Sequence, residues 1–209
     1  MSSPRQLIEG FKRFRERSLT GDNAQFHNLV QLGQTPSTLV VACCDSRVDP
    51  ALILDCAPGD LFVIRNVANL VPPAENQGHY HGTSAALEFG VRNLGVQHII
   101  VLGHAQCGGI HALLEGGVSK DESFIAEWMG IADVARKHVE MEHAGADSKA
   151  RHRICEQRAI LVSLDNLMTF SWIRDRVEQG TLALHGWYFD IEQGELLGYN
   201  PINRQFETL

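Results

Sequence analysis

Several kinds of residue are scarce in this chain, and each scarcity excludes a class of protein. Five cysteines among 209 residues are too few, and odd in number, for a disulfide framework, so reduced cytoplasmic thiols are expected. The 18 basic residues against 25 acidic ones give a net charge of −7, which argues against nucleic-acid or anionic-membrane partners. No stretch has the apolar length of a membrane span, and the first ten residues lack the apolar run of a signal peptide. We therefore expect a cytoplasmic protein.

What the chain does contain is the composition of an ordinary folded protein. Apolar residues make up 44% and charged residues 21%, which fits one domain over residues 1–209. Unbroken apolar runs rich in β-branched residues favour buried strands of a parallel sheet, and two later runs flank a hairpin turn at Gln193-Gly194. The five predicted strands are 38–44, 60–68, 97–104, 181–191 and 195–199.

Helical patterns occupy the segments between and around these strands. The predicted helices are 5–17, 83–95, 121–142, 149–168 and 170–179. Alternating strands and helices predict an α/β fold with a central, mostly parallel sheet flanked by helices. We expect the strand order 2-1-3-4 with a fifth, antiparallel strand. In that order, right-handed crossover connections bring the carboxyl ends of the first and third strands to one rim.

Two short motifs end apolar runs and supply metal-binding side chains. The sequence CCDSR at 43–47 brings Cys43, and HAQC at 104–107 brings His104 and Cys107. Two thiolates and an imidazole are three of the four ligands that zinc takes in proteins, and a site with three ligands is typical of a catalytic zinc. Asp45 and Arg47 add a carboxylate and a guanidinium beside the first ligand.

The predicted topology places these two motifs together. Cys43 and His104 fall at the carboxyl ends of the first and third strands, which are neighbours in the expected order. In open parallel sheets, ligands bind beyond the carboxyl ends of the strands, where the strand order reverses. Cys107 then lies in the first turn of the following helix, within reach of the same ion.

Other cysteines and histidines offer alternatives that the sequence leaves open. His111 stands four residues after Cys107 on the same helix face, so it could complete a closed, structural zinc site. Cys44 points to the other side of its strand, and packing in the core is the favoured reading there. His79 and His81 could chelate a metal or shuttle protons, although an ordinary loop role is favoured.

The motifs resemble the signature of the β-class carbonic anhydrases, and the likeness runs through most of the chain. The matching segments include Pro58-Gly59-Asp60, the stretch 65–73, Ala86-Leu87-Glu88-Phe89 and Gly103-His104. The resemblance implies that Cys43, His104 and Cys107 hold one Zn²⁺ per subunit. It also implies that Asp45 and Arg47 form a catalytic dyad, with Asp45 as a possible fourth ligand in a closed state.

The same resemblance implies a substrate pocket. Gln34, nine residues before Cys43, would line it together with Phe62, Val67 and Phe89. Phe89 occupies a place where relatives often have tyrosine. Gly108 would offer its backbone N–H near the metal.

The activity implied is the reversible hydration of carbon dioxide to bicarbonate and a proton, by a zinc-bound hydroxide that the Asp–Arg dyad orients. Family members are usually homodimers or homotetramers that share pocket residues across the dimer interface. The helical arm over residues 1–35 would serve that contact. The alternatives are a hydrolase of carbon disulfide or carbonyl sulfide on the same scaffold, and a noncatalytic zinc-binding or redox-sensing protein.

Overall fold

In the computed structural model, residues 3–19, 24–75, 81–116 and 124–209 are described. These described residues contain one six-stranded sheet, in the order β2-β1-β3-β4-β5-β6. Strands β1 to β4 run parallel, and β5 and β6 are antiparallel to their neighbours. The strands are β1 Thr38–Cys43, β2 Leu61–Asn66, β3 His98–His104, β4 Ala183–Asp190, β5 Glu195–Asn200 and β6 Gln205–Thr208. The predicted order and the antiparallel fifth strand are confirmed, whereas β6 was not predicted.

Helices of the unit formed by residues 36–209 lie around this sheet. They are α3 Pro50–Ile53, α4 Gly82–Glu88, α5 Gly108–Leu114, α6 Phe124–Met129, α7 Asp133–Glu142, α8 Ser148–Leu167 and α9 Ser171–Glu178. The prediction of one continuous helix over 121–142 is wrong, because a 3₁₀ turn at Gly130–Ala132 separates α6 from α7. Its residues 121–123 lie outside the described part of the chain.

Strand β2 ends earlier than the sequence predicted. The chain turns over Val67–Asn69, where Ala68 and Asn69 take left-handed backbone angles, with φ of 62° and 49°. The Asn66 side chain stabilises this turn, since its amide donates to the Leu70 carbonyl at 2.8 Å and its oxygen accepts from the Leu70 N–H at 2.9 Å. The turn places backbone from β2 beside the end of β1.

The sheet buries apolar residues on both faces, as expected for parallel strands. One face packs against α4, α8 and α9, and the opposite face carries Val40, Ala42, Ile100 and Leu102. Helix α8 lies close to β3, because a Cβ at Gly103 would come within 2.6 Å of Ile160. A further apolar cluster at the carboxyl end of the sheet includes Cys43 and Cys107. These two cysteines are therefore part of the core.

The N-terminal unit comprises residues 1–35 and is described by itself. It contains α1 Pro4–Ser18 and α2 Ala24–Leu32. A capping box begins α1: Ser3 Oγ accepts from the Gln6 N–H, and Gln6 Oε1 accepts from the Ser3 N–H. The rings of Phe14 and Phe26 meet edge to face at 5.7 Å. Across the described residues of both units, no helix combines the length and apolar character needed to cross a membrane.

Candidate metal centre

Three predicted ligands converge at the carboxyl edge of the sheet. Cys43 ends β1, His104 ends β3, and Cys107 caps the N-terminus of α5. One ligand atom from each of these side chains lies within 4.8 Å of the other two. All three are buried, with at most 5% of each residue exposed. The structure thus brings together two sulfurs and one nitrogen that are 61 and 3 positions apart along the chain.

The protonation of the two cysteines shows how tightly they are coupled. The Cys107 thiol donates to the Cys43 sulfur, which lowers the pKa of Cys43 to about 4 and raises that of Cys107. The two sulfurs are therefore close enough to share a hydrogen bond, and both are buried. A divalent cation that binds both sulfurs as thiolates replaces the thiol proton and neutralises their charge.

His104 supplies a direct test of whether a metal fits here. Its Nδ1 lies 2.8 Å from the Ala105 carbonyl, and a carbonyl only accepts, so Nδ1 carries the proton of the neutral ring. Its Nε2 is buried and has no hydrogen-bond partner among the described residues. A lone pair in that position, facing two sulfurs, fits a zinc ligand whose other nitrogen is fixed by a backbone carbonyl.

The Asp45 carboxylate is held away from the ligand group by Arg47. Arg47 Nε donates to Asp45 Oδ1 at 3.0 Å, Nη2 donates to Oδ2 at 2.7 Å, and the Arg47 backbone N–H also donates to Oδ1 at 2.9 Å. These hydrogen bonds hold the pKa of Asp45 well below its usual range. Asp45 and Arg47 are thus paired in the structure, and their role as a catalytic dyad stays a prediction. Coordination of a metal by Asp45 in a closed state stays a prediction.

The guanidinium of Arg47 is itself fixed by a residue that lies between two of the ligands. It donates to both the side-chain and backbone oxygens of Gln106, at 3.3 and 3.1 Å. Gln106 has a left-handed φ of 58°, and its amide donates to Glu192, which also pairs with Lys149. Sequence reasoning missed Gln106, although its position inside the HAQC motif was a signal.

Arg65 on β2 fixes the backbone that carries the first motif. Its guanidinium donates to the carbonyl of Cys43 at 2.9 Å and to that of Asp45 at 2.7 Å, and it pairs with Asp49 at 3.0 Å. The register places Asn66, the next residue, opposite Cys43. An arginine inside an otherwise apolar strand was the available signal for this positioning role.

A buried carboxylate supports the second motif from α8. Glu156 Oε1 accepts the Cys107 N–H at 3.0 Å, and Oε2 accepts the Tyr188 hydroxyl at 2.7 Å. Burial raises the pKa of Glu156, while these two donors oppose the shift. Neither residue was predicted, because their partners are 49 and 32 positions away in sequence and no local motif links them.

The predicted pocket residues fall into two groups in this chain. Val67 and Gly108 lie near the ligands: Val67 follows β2, and Gly108 begins α5 directly after Cys107. Phe62 and Phe89 contact each other, with ring centroids 5.9 Å apart, but Phe62 stands opposite Leu39. Four strand residues separate Phe62 from the Cys43 level, which is about 13 Å at the usual rise of a strand. Their pocket role stays a prediction.

The remaining candidates are placed as follows. Gln34 belongs to the N-terminal unit, after α2, and its role stays a prediction. His111 does not join the cysteines; among the described residues it forms a separate group with Glu115 and His152. The expectation that Cys44 packs in the core is wrong, because β1 ends at Cys43 and the side chain of the next residue is exposed.

Of the two predicted loop histidines, one lies among the described residues. His81 directly precedes α4, and its proposed proton or metal role stays a prediction. His79 lies outside the described residues.

Comparisons with known proteins agree with this geometry. Residues 38–196 match the family model described as carbonic anhydrase. The chain is 39% identical over 185 residues to β carbonic anhydrase 5, chloroplastic, of Arabidopsis thaliana, covering 88% of this chain and 60% of that protein. The solved structure of the β-carbonic anhydrase CcaA has a TM-score of 0.92 and 34% identity, covering 98% of this chain and 91% of that one. Tetrameric β-carbonic anhydrases from Sordaria macrospora give a TM-score of 0.75 and 30% identity, with 93% and 92% covered.

The matched range contains the positions of the three predicted ligands and of the Asp45–Arg47 pair. The chain therefore belongs to the β-carbonic anhydrase family, as its motifs indicated. It spans 60% of the length of the Arabidopsis relative.

Proposed function

We propose that this protein is a zinc-dependent carbonic anhydrase that interconverts carbon dioxide and bicarbonate. The observation that carries the proposal is the Cys43, His104 and Cys107 group beside a carboxylate that an arginine holds in two-point contact. When bound, zinc supplies the Lewis acidity that lowers the pKa of water toward neutrality. The protein's contribution is to hold the ligands, orient the water and exclude competing solvent.

Asp45 is the residue that orients the reacting water. A carboxylate offers about four acceptor positions, and three of them are filled by the Arg47 N–H groups. The fourth, on Oδ2, remains to accept a hydrogen bond from water, which fixes where the water's lone pair points. Arg47 fixes the plane of the carboxylate, a task that suits a planar guanidinium better than a lysine ammonium.

The apolar part of the pocket supports a homo-oligomer. Phe62 and Phe89 lie together at a distance from this chain's own ligand group, and Phe89 is 45% exposed. We assign them to the carbon dioxide pocket of a neighbouring copy, with Gln34 as the donor to the oxygen that gains charge. The tetrameric relatives from Sordaria macrospora support such an assembly, and residues 1–35 are the proposed contact arm.

The cellular compartment is a further part of the proposal. All five cysteines are unpaired, which fits a reducing environment such as the cytoplasm. The Arabidopsis relative is named as chloroplastic. Expression of the full chain with a fluorescent tag, in the organism from which it comes, tests the location.

Stopped-flow measurement of carbon dioxide hydration tests the activity. Zinc-loaded protein is compared with metal-stripped protein, with Asp45→Asn and with the exposed control Asp55→Asn. Asp45→Asn should keep its zinc and lose about 10²- to 10⁴-fold in kcat/KM, the range of a positioned proton acceptor. Asp55→Asn should match the unaltered protein.

The same preparations separate the alternatives. Turnover of carbonyl sulfide or carbon disulfide without hydration of carbon dioxide would establish the hydrolase. Zinc retention without turnover of any of the three gases, together with a thiol-dependent change in conformation, would establish the noncatalytic protein.

A further inference from the structure

A second group of ligating side chains lies where α5 meets α8. His111 and Glu115 stand four residues apart at the end of α5, and His152 is on the first turns of α8. One nitrogen from each histidine and one oxygen of Glu115 lie within 4.8 Å of one another. The group does not include Cys43, His104 or Cys107. It borders a cavity of about 520 Å³ that Gln106 and Cys107 also line.

The hydrogen bonding of His152 fixes which of its nitrogens is available. Nδ1 lies 2.7 Å from the Ser148 carbonyl, so it carries the proton of the neutral ring. Nε2 therefore has a lone pair, which accepts from the His111 Nδ1–H at 3.0 Å and lies 3.5 Å from Glu115 Oε1. A bound ion takes the place of the proton between the two rings. A histidine that donates one N–H to a backbone carbonyl and presents the other nitrogen is the usual arrangement for a metal ligand. Only 16% of the His152 side chain is exposed, so its ring is held in place.

The separations between the ligand atoms fit a metal ion. His111 Nδ1 is 3.0 Å from His152 Nε2, and Glu115 Oε1 is 3.5 Å from the same nitrogen. Metal–nitrogen bonds of about 2.0–2.1 Å place two ligand nitrogens about 2.9–3.4 Å apart at bond angles of about 90–109°. A slightly wider bond angle at the metal places a carboxylate oxygen at the 3.5 Å observed between Glu115 Oε1 and His152 Nε2.

The charge around the group favours a cation. As metal ligands, two imidazoles are neutral and the Glu115 carboxylate contributes one negative charge. The two cationic side chains that line the cavity are paired: Lys149 with Glu192, and Arg153 with Asp190 at 3.0 Å.

A third group, His138, Glu142 and His143 on α7, shows the opposite arrangement. There the Arg158 guanidinium lies 3.2 Å from His138 Nδ1, the same nitrogen that faces Glu142 at 3.0 Å. Because a fixed positive charge already occupies that position, a metal ion is repelled. This group serves as an internal control with the same residue types.

We infer that His111, Glu115 and His152 form a second metal site, which takes a divalent transition-metal ion of the Zn²⁺, Co²⁺ and Ni²⁺ class. Two imidazoles and one carboxylate suit these ions, and water fills the remaining coordination positions. The site is independent of the proposed zinc centre, because it shares no ligand with it.

Titration of the full chain with Co²⁺ tests this inference. Cobalt on the cysteine group gives sulfur-to-metal charge-transfer absorption, whereas cobalt on nitrogen and oxygen ligands gives visible bands alone. We expect two equivalents to bind the unaltered protein and one equivalent, without charge-transfer absorption, to bind Cys43→Ser. His152→Gln and the more exposed His111→Gln should weaken the nitrogen–oxygen site by about tenfold or more and leave the charge-transfer absorption intact.

His143→Gln is the matched control and should bind both equivalents. The inference is overturned if the unaltered protein binds no cobalt on nitrogen and oxygen ligands. It is also overturned if His111→Gln and His152→Gln retain that binding, or if His143→Gln loses it. Because the two sites have different spectra, loss of the cysteine-bound ion alone speaks against the proposed function and not against the second site.

Discussion

The two ligand groups of this protein differ in how the fold holds them. Cys43, His104 and Cys107 project from the ends of two adjacent parallel strands and from the helix that follows, inside an apolar cluster. His111 and Glu115 sit at the end of a short helix, and the Glu115 side chain is 53% exposed. The first group is fixed by a sheet, and the second by contact between two helices.

That difference predicts unequal affinities. We call Cys43, His104 and Cys107 the strand-end group, and His111, Glu115 and His152 the helix group. The two sulfurs are buried, in a region of low dielectric constant, so a divalent ion that binds them as thiolates neutralises charge that would otherwise be unfavourable there. An ion at the helix group displaces water from an exposed carboxylate and gains less. We expect the strand-end group to keep its metal through dialysis and the helix group to exchange its metal freely.

Removal of one sulfur ligand should have the largest effect. Cys43→Ser is expected to abolish stoichiometric zinc and reduce carbon dioxide hydration to the background rate, because only two ligands remain and a serine hydroxyl does not ionise at neutral pH. Metal analysis after dialysis and stopped-flow assays measure the two effects.

The adjacent exposed residue provides the control for that experiment. Cys44→Ser changes the same atom one position further along and should keep both zinc and activity. Full zinc content in Cys43→Ser would show that the strand-end group is not the principal metal site.

Arg47→Lys should separate metal binding from positioning of the carboxylate. A lysine ammonium cannot reproduce the two parallel contacts with Asp45, so the carboxylate plane becomes free to rotate. We expect zinc to be retained and kcat to fall about 10- to 100-fold, the range for loss of a residue that orients a metal site. Unchanged kcat in this variant would refute the role of the pair.

The sequence was sufficient for the strand-end group because its ligands follow apolar runs. Strand ends are visible as the points where such runs stop, and neighbouring parallel strands bring those points together. The helix group was missed because His152 lies 41 residues from His111 and no periodic pattern records which helices touch. His111 was instead considered as a fourth zinc ligand, because it stands four residues after Cys107 on the same helix face. Buried supports such as Glu156 depend on packing that no local motif encodes.

Strand β6 and the break before α7 were missed for related reasons. Strand β6 spans only Gln205–Thr208 and pairs on the outer edge, so its apolar signal is short. The break at Gly130 occurs inside a helical pattern, where a single glycine is common.

Tyr188→Phe should cost stability without removing a ligand. The change deletes the hydroxyl that donates to Glu156 and leaves one carboxylate oxygen buried without that partner. We expect the free energy of unfolding to fall by about 1–3 kcal/mol, measured by chemical denaturation. Tyr199→Phe, which removes the same hydroxyl from a half-buried position on β5, is the control and should change less. Equal losses in both variants would contradict a stabilising role for the hydrogen bond between Tyr188 and Glu156.

The smallest expected effect concerns His98 and His185, a third pair of neighbouring imidazoles. It shows how such a pair affects stability without a carboxylate beside it. His98 Nδ1 lies 3.2 Å from His185 Nε2 on adjacent strands, and no third ligating side chain joins them among the described residues. Burial, and then the nearby His98, lower the pKa of His185 below its ordinary value of 6.5. The unfolded chain therefore binds this proton more readily than the folded protein, so stability falls as the pH drops below about 6.5. His185→Gln should reduce this loss in the free energy of unfolding at low pH by less than about 1 kcal/mol, because solvent screens a half-exposed ring. The free energy of unfolding is measured between pH 5 and pH 7 for both proteins. An identical dependence on pH would contradict the proposed contribution of His185.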